Sequence, residues 1–265
     1  MAKLLEGKIV AERIKEELKV RVQSLRHAPV LASILVGGNP GAAAYVKSQA
    51  KTAENLGIAY KLHQLADNIT EDELISFILK LNLDKTVNGI IVQVPLPQHI
   101  DYKKISGLIS AKKDIEGVNS PVLAAVMELI KTSGVDLYGK EVVVVGHSEI
   151  LGKPLALLLL DKFATVTVCH IGTSKAGKLE EHVRRAEVLI VAVGKAGLIK
   201  GEWIKEGAVV IDVGINRVGD KIVGDVEFES AAKRASFITP VPGGVGPLTV
   251  AILMRNLVEA AQAQQ

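Results

Sequence analysis

Short, nearly unbroken runs of branched apolar residues recur along this chain: "VLASILV" (30–36), "GIIVQV" (89–94), "EVVVVG" (141–146), "EVLIVAVG" (187–194) and "GAVVIDVG" (207–214). A strand with no polar face has both faces buried, the condition met in a parallel sheet covered by helices on its two sides. The stretches between them fit that plan. Residues 42–56, "TEDELISFILKLN" opened by Thr70, "PVLAAVMELIKTSG" and "LGKPLALLLLDK" read as helices, and "IAYKLHQL" and "ATVTVCHI" as further strands. The expected fold class is α/β, with two α/β domains meeting at a cleft and a boundary near residue 120. No shift in composition marks that boundary, so it rests on the order of elements.

With 265 residues the chain can bury a core in each domain. Its 32 basic and 29 acidic residues nearly balance, and no basic block stands out, which argues against a nucleic-acid partner. The single cysteine, Cys169, allows no internal disulfide and fits a reducing compartment. The opening residues have helical spacing and not the pattern of a leader, and no apolar run approaches a membrane span. A cytoplasmic protein with no membrane partner is expected, and no metal.

Four strand ends are candidate ligand sites, because ligands of open parallel sheets collect at the carboxyl ends of the strands. The strand "VVVV" ends at Gly146, and a helix opens near Ile150 with Gly152 in its first turn. Such a junction aims backbone N–H groups and a positive dipole end at a pyrophosphate. The spacing is G-x-S-x-x-x-G-x-P and not the common dinucleotide G-x-G-x-x-G. A packing turn would look the same, but Ser148 could also donate to a phosphate. The next strand ends in Cys169, His170, Ile171, Gly172 and Thr173, with Lys175 and Lys178 behind. No carboxylate is there to hold an NAD ribose, so NADP is favoured, with NAD left open. Gly194 follows a third strand, and Val213, Gly214 and Ile215 follow a fourth. In "ITPVPGGVGPLTVAILMRN" (238–256), Pro240, Pro242, Gly243, Gly244 and Gly246 form a junction suited to close approach of main chain to a flat ligand, and Pro247 opens a helix.

In the first half, Tyr45 and Gln49 are four residues apart on a predicted helix and can face one site, while Lys47 and Lys51 point away. Gln93 lies near the end of a buried strand that Pro95 and Pro97 terminate, and a buried glutamine needs a hydrogen-bond partner.

These segments, with "AYVKSQAKTAENLGI", "GIIVQVPLPQHI", "KKDIEGVN", "VGDVEFE" and the C-terminal Pro-Gly-Gly-Val-Gly-Pro junction, resemble the bifunctional methylenetetrahydrofolate dehydrogenase/cyclohydrolase family in order and over nearly the whole chain. The resemblance implies a folate-binding catalytic domain of residues 1–120 plus 247–265, with the C-terminal helix packing back on it. It implies a Rossmann-like NAD(P)-binding domain of residues 121–246, and a homodimer. The implied reaction is oxidation of 5,10-methylenetetrahydrofolate to the methenyl form with NADP, followed in most members by hydrolysis to 10-formyltetrahydrofolate. Carried across one by one, Tyr45 would stack on the folate, with Gln93, Pro95, Glu116, Pro242, Gly243 and Gly244 lining the substrate. Gly146, His147, Ser148 and Gly152 would hold the cofactor, with His170, Thr173, Gly194, Val213, Gly214 and Ile215.

The chain departs from the family pattern in four places. The lysine expected four residues after the tyrosine, the proton-handling group of the hydrolase step, is Gln49, and an amide cannot exchange a proton near neutral pH. Glu116 replaces the second aspartate of Lys-Asp-Val-Asp-Gly, and Ala42 replaces a serine. An asparagine-glycine segment and a Pro-Cys-Thr-Pro turn are missing between Asn119 and Val122. Three expectations follow: a dehydrogenase with cyclohydrolase activity weak or lost, a fully bifunctional enzyme using Gln49, Gln93 and water, or a folate- and nucleotide-binding protein without catalysis.

Overall fold

Each apolar run folds as a parallel strand. The computed structural model describes residues 1–117 and 120–265. The expected missing turn adjoins Val118 and Asn119, which lie outside the described residues. In chain order, the first elements are β1 (Lys3–Leu4), α1 (Gly7–Gln23), β2 (Val30–Val36), α2 (Pro40–Asn55), β3 (Ala59–Leu65), α3 (Glu71–Leu83), β4 (Gly89–Val92) and α4 (Tyr102–Ser106). Then come α5 (Pro121–Ser133), β5 (Glu141–Val145), α6 (Gly152–Leu160), β6 (Thr165–Cys169), α7 (Ile171–Lys175), α8 (Leu179–Arg185), β7 (Val188–Val191) and β8 (Val209–Asp212). The series closes with β9 (Asn216–Val218), β10 (Lys221–Val223), α9 (Phe228–Ala231), β11 (Phe237–Ile238) and α10 (Val245–Gln264).

The chain divides into two compact units, Ala11–Pro121 with Val250–Gln265, and Met1–Val10 with Val122–Thr249. The first of these has a three-stranded parallel sheet in the order β3-β2-β4. Helix α3 opens behind Thr70 as expected, through a capping box in which the Thr70 hydroxyl accepts from Glu73 N while the Glu73 carboxylate accepts from Thr70 N. Its buried face, Leu74, Ile78 and Leu81, packs on Ile34 and Ile90 of the sheet. The end of α10 belongs to this unit, where Asn256 Nδ2 donates to Ile115 O at 2.9 Å.

The second unit carries a six-stranded, wholly parallel sheet in the order β1-β11-β8-β7-β5-β6. From β5 the chain crosses to β6 on one side and then to β7 on the other, which makes the β5/β7 boundary a topological switch point of a Rossmann-like sheet. Val143, Val145, Leu189, Val191 and Val210 form its core with Leu179 and Val183 of α8.

One expected boundary fails. Residues 1–10 were assigned to the first domain, but they sit with the second unit. The outer edge of β11 would otherwise be unpaired, and β1 covers it, with Lys3 N donating to Ser236 O and Leu5 N to Ile238 O. A two-residue strand has no periodicity to read. Among the described residues no helix is long and apolar enough to cross a membrane.

Candidate functional site

The helical period of α2 places Ala42, Val46, Gln49 and Ala53 on its buried face. Lys47 and Lys51 are exposed, as their spacing from Tyr45 foretold. An amide on an apolar stripe has to find partners among the strands beneath it. Gln49 Oε1 accepts from the Tyr60 hydroxyl of β3 and from Gln93 Nε2 just past β4, both at 2.9 Å. Gln93 Nε2 also donates to Ser33 Oγ of β2 at 2.9 Å, so a chain of four polar side chains crosses all three strands. One group is left over. Gln49 Nε2 is buried and has no hydrogen-bond partner among the described residues, a condition that costs about 1–3 kcal/mol unless a ligand supplies an acceptor.

Tyr45 lies half-buried one turn earlier on α2. Burial raises its phenol far above the usual tyrosine range, and the Glu116 carboxylate raises it further, against a smaller opposing effect of Gln49. Burial also pushes Tyr60 up to about 12. Both tyrosines are therefore neutral, and the Tyr60 hydroxyl donates to Gln49 Oε1.

Glu116 is held by the segment before it. Lys113 Nζ donates to Leu81 O and Asp84 O at the end of α3, and Lys113 O accepts from Ile90 N of β4. Asp114 Oδ1 then accepts from Glu116 N and Gly117 N, turning the chain. Glu116 keeps some exposed surface, yet protein atoms crowd its carboxyl. That desolvation, with the nearby Asp114 charge, raises its pKa to about 7. Pro95 is exposed beyond β4.

In the six-stranded unit the foreseen residues all follow strands at the carboxyl end of the sheet. Gly146 has φ +130°, and a Cβ there would stand 2.3 Å from Ala192 O past β7. A Cβ on Gly152 would stand 2.1 Å from Gly146 O. Only glycines permit this junction at the switch point. Helix α6 starts at Gly152 and not near Ile150, because Ser148 Oγ accepts from Leu151 N and Gly152 N and holds the intervening residues as a turn. Among the described residues the Ser148 hydroxyl proton has no acceptor. His147 is exposed, with its ring 5.2 Å from that of His170. His170 and Thr173 cap the short α7: His170 Nδ1 accepts from Gly172 N, and Thr173 Oγ1 accepts from His170 N.

Beyond β7 and β8, Gly194 and Ile215 are exposed and Gly214 is buried. Sequence reasoning gave no role to the two carboxylates that tie these loops, Asp212 and Asp225, though they lie within the "GAVVIDVG" and "VGDVEFE" segments that it singled out. Pro242 and Gly243 follow β11 on the same edge, and a Cβ on Gly7 would meet Gly244 O at 2.0 Å. Among the described residues no group of His, Cys, Asp and Glu could hold a metal ion.

Residues 5–116 match the family model for the tetrahydrofolate dehydrogenase/cyclohydrolase catalytic domain, and residues 120–265 match that family's NAD(P)-binding domain. The chain belongs to the tetrahydrofolate dehydrogenase/cyclohydrolase family. A bifunctional FolD protein of Acetivibrio thermocellus is 50% identical over 282 aligned positions, covering 99% of this chain and 98% of its own. Those positions exceed the 265 residues here by 17, so the relative carries at least that many without a counterpart in this family member. The crystal structure of the FolD dehydrogenase/cyclohydrolase of Campylobacter jejuni matches with TM-score 0.94 and 43% identity over all of both chains. The Trypanosoma brucei enzyme, complexed with NADP cofactor and inhibitor, matches with TM-score 0.92 and 37% identity over 99% of this chain and 98% of its own.

Proposed function

We propose that this protein oxidises 5,10-methylenetetrahydrofolate to the methenyl form with NADP, and that its cyclohydrolase activity is weak or lost. The observation that supports the second part is Gln49. At the position where the family resemblance expects lysine, the side chain is buried, its oxygen already accepts two hydrogen bonds, and its free atom is an amide N–H. It can hold a ligand but cannot carry a proton at neutral pH, a loss on the order of 10²–10⁴-fold in a step that needs general acid–base help.

For the folate, Tyr45 provides a neutral ring and Gln93 a fixed amide, with Pro95 as lining; Pro242, Gly243 and Gly244 are assigned to it by the family resemblance alone. Loss of hydride leaves the substrate cationic, and the ionised form of Glu116 offsets that charge. The cofactor residues fit a dinucleotide, since the Gly146/Gly152 junction brings backbone close at the switch point and leaves the Ser148 hydroxyl as donor. Bound NADP supplies the hydride acceptor. Gly146, His147, Ser148 and Gly152 would hold it, with His170, Thr173, Gly194, Val213, Gly214 and Ile215. No carboxylate stands at the end of β6 to repel a 2′-phosphate, which supports NADP over NAD.

The test uses purified protein with methylenetetrahydrofolate and NADP, then with methenyltetrahydrofolate alone. NADPH should form, and the methenyl absorbance should decay little faster than in buffer; a large rate above buffer would overturn the second part. Gln49→Lys should raise that decay; no gain would remove the assigned role of this position. One observation supports the bifunctional alternative: Glu116, with a pKa of about 7, could itself take up a proton. Hydrolysis by the wild type that Glu116→Gln abolishes would establish it.

A homodimer is part of the reading. Strand β6 ends the sheet, and Leu157, Leu160, Tyr138 and Phe163 expose apolar surface in the same unit, so a second copy of the chain is the expected occupant. Sedimentation would decide it. The compartment proposed is the cytoplasm.

A further inference from the structure

Two carboxylates at the carboxyl end of the six-stranded sheet play no part in the reaction just described. Asp225 is fully buried and Asp212 nearly so, and neither forms an ion pair among the described residues. A buried charge without a counter-ion is expensive to keep unless aligned N–H groups replace its water. Here they do. Asp225 Oδ2 accepts from Val193 N at 2.7 Å and Gly194 N at 3.0 Å, and Oδ1 from Lys195 N at 2.7 Å and Asn216 Nδ2 at 2.8 Å. Three consecutive N–H groups converging on one anion form the backbone nest that elsewhere binds phosphate. In this loop the anion is built in.

Asp212 is the reciprocal half. Its Oδ1 accepts from Gly214 N and Asp225 N, and its Oδ2 from Val226 N. The fit is tight in both directions. A Cβ on Gly214 would stand 2.2 Å from Asp225 Cγ, and a Cβ on Gly224 1.9 Å from Asp212 Oδ2. Three segments, 193–195 and the two that flank the β9–β10 hairpin, 212–216 and 224–226, are thus locked as one body that includes the exposed Gly194 and Ile215.

We propose that Asp225 is a positioning residue for the dinucleotide: its carboxylate shapes the loop after β7 and the segment after β8 to receive the cofactor. The inference rests on the NADP reading above. It also divides the labour among the strand ends. The nest after β7 is filled from within, so the pyrophosphate is left to the β5–α6 turn.

The experiment compares NADP dissociation constants of the full-length wild type, Asp225→Asn and a core control, Leu189→Ala, well below their melting temperatures. Asparagine keeps the shape but turns an NH₂ toward N–H donors whichever way it faces. Asp225→Asn should weaken NADP binding about tenfold or more, the scale of a lost hydrogen bond to a charged group. Amide exchange at 193–195 should accelerate in the same variant. Leu189→Ala should lower the melting temperature and leave affinity unchanged. Failure of the wild type to bind NADP would sink the functional reading itself. Wild-type binding with Asp225→Asn within twofold of it overturns the proposal, as does an equal loss in Leu189→Ala. Should Asp225→Asn not fold, Asn216→Ala removes one of the four bonds and keeps the carboxylate. It should weaken binding severalfold, and unchanged affinity there also overturns the proposal.

Discussion

Replacing Glu116 by glutamine is expected to flatten the pH dependence of stability in the unit that contains it. The Glu116 carboxyl has a pKa of about 7 in the fold, against 4.5 ordinarily, because burial and then Asp114 disfavour its charge. A carboxyl whose pKa is raised by folding stabilises the fold fully below 4.5 and loses that contribution as pH climbs through 7. At about 1.36 kcal/mol per pK unit the interval is worth about 3 kcal/mol, an upper bound because the side chain keeps some contact with water. For a unit of this size that corresponds to roughly 10 °C in melting temperature. Three of the four tyrosines, Tyr45, Tyr60 and Tyr102, lie in this unit, so near-ultraviolet dichroism follows its unfolding. Melting curves from pH 4.5 to pH 8 should show the wild type losing stability relative to Glu116→Gln, the gap growing by up to about 3 kcal/mol. A gap that stays constant across that range would refute the claim that the ionised carboxylate is poorly solvated in the fold.

Gly152→Ala places a Cβ 2.1 Å from Gly146 O and must force the β5–α6 junction open. A destabilisation of about 1–3 kcal/mol and a large loss of NADP affinity are expected, read by thermal melting and titration calorimetry; unchanged values for both would show that the junction yields freely. Tyr60→Phe removes the hydroxyl that donates to Gln49 Oε1 at 2.9 Å and should cost about 1 kcal/mol in urea denaturation. The cost should disappear in a Gln49→Met background, and a cost that persists would assign it to something other than this bond.

Much of the fold was legible because the apolar runs of β5, β7 and β8 admit no other placement than a doubly covered sheet. Thr70 and Pro247 announced their helices by chemistry that acts within one turn. What escaped depends on partners remote in sequence. Nothing in "KIVGDVEFE" shows that Asp225 will accept from the backbone of Val193, since a backbone donor has no residue signature. Tyr60 and Ser33 looked like ordinary strand residues until Gln49 and Gln93 were laid across them. The first ten residues were misplaced for the same reason, as Lys3 and Leu4 acquire meaning only beside Phe237 and Ile238. The Gly146–Gly152 turn was read directly, and only its helix start moved, because a serine hydroxyl competed for the first N–H groups.

The pairing of Lys3 with Phe237 has a consequence for biogenesis. Both units are assembled from stretches that lie far apart along the polypeptide, one needing residues 1–10 and the other residues 250–265. A growing chain can gather β5 to β8 early, yet its opening segment must wait, without a seat, until almost everything else has been translated. Long-range closure of this kind slows folding and lengthens the interval in which apolar edges are bare. Such a nascent chain should lean on holdase chaperones more than a protein of the same length whose domains follow one another in sequence.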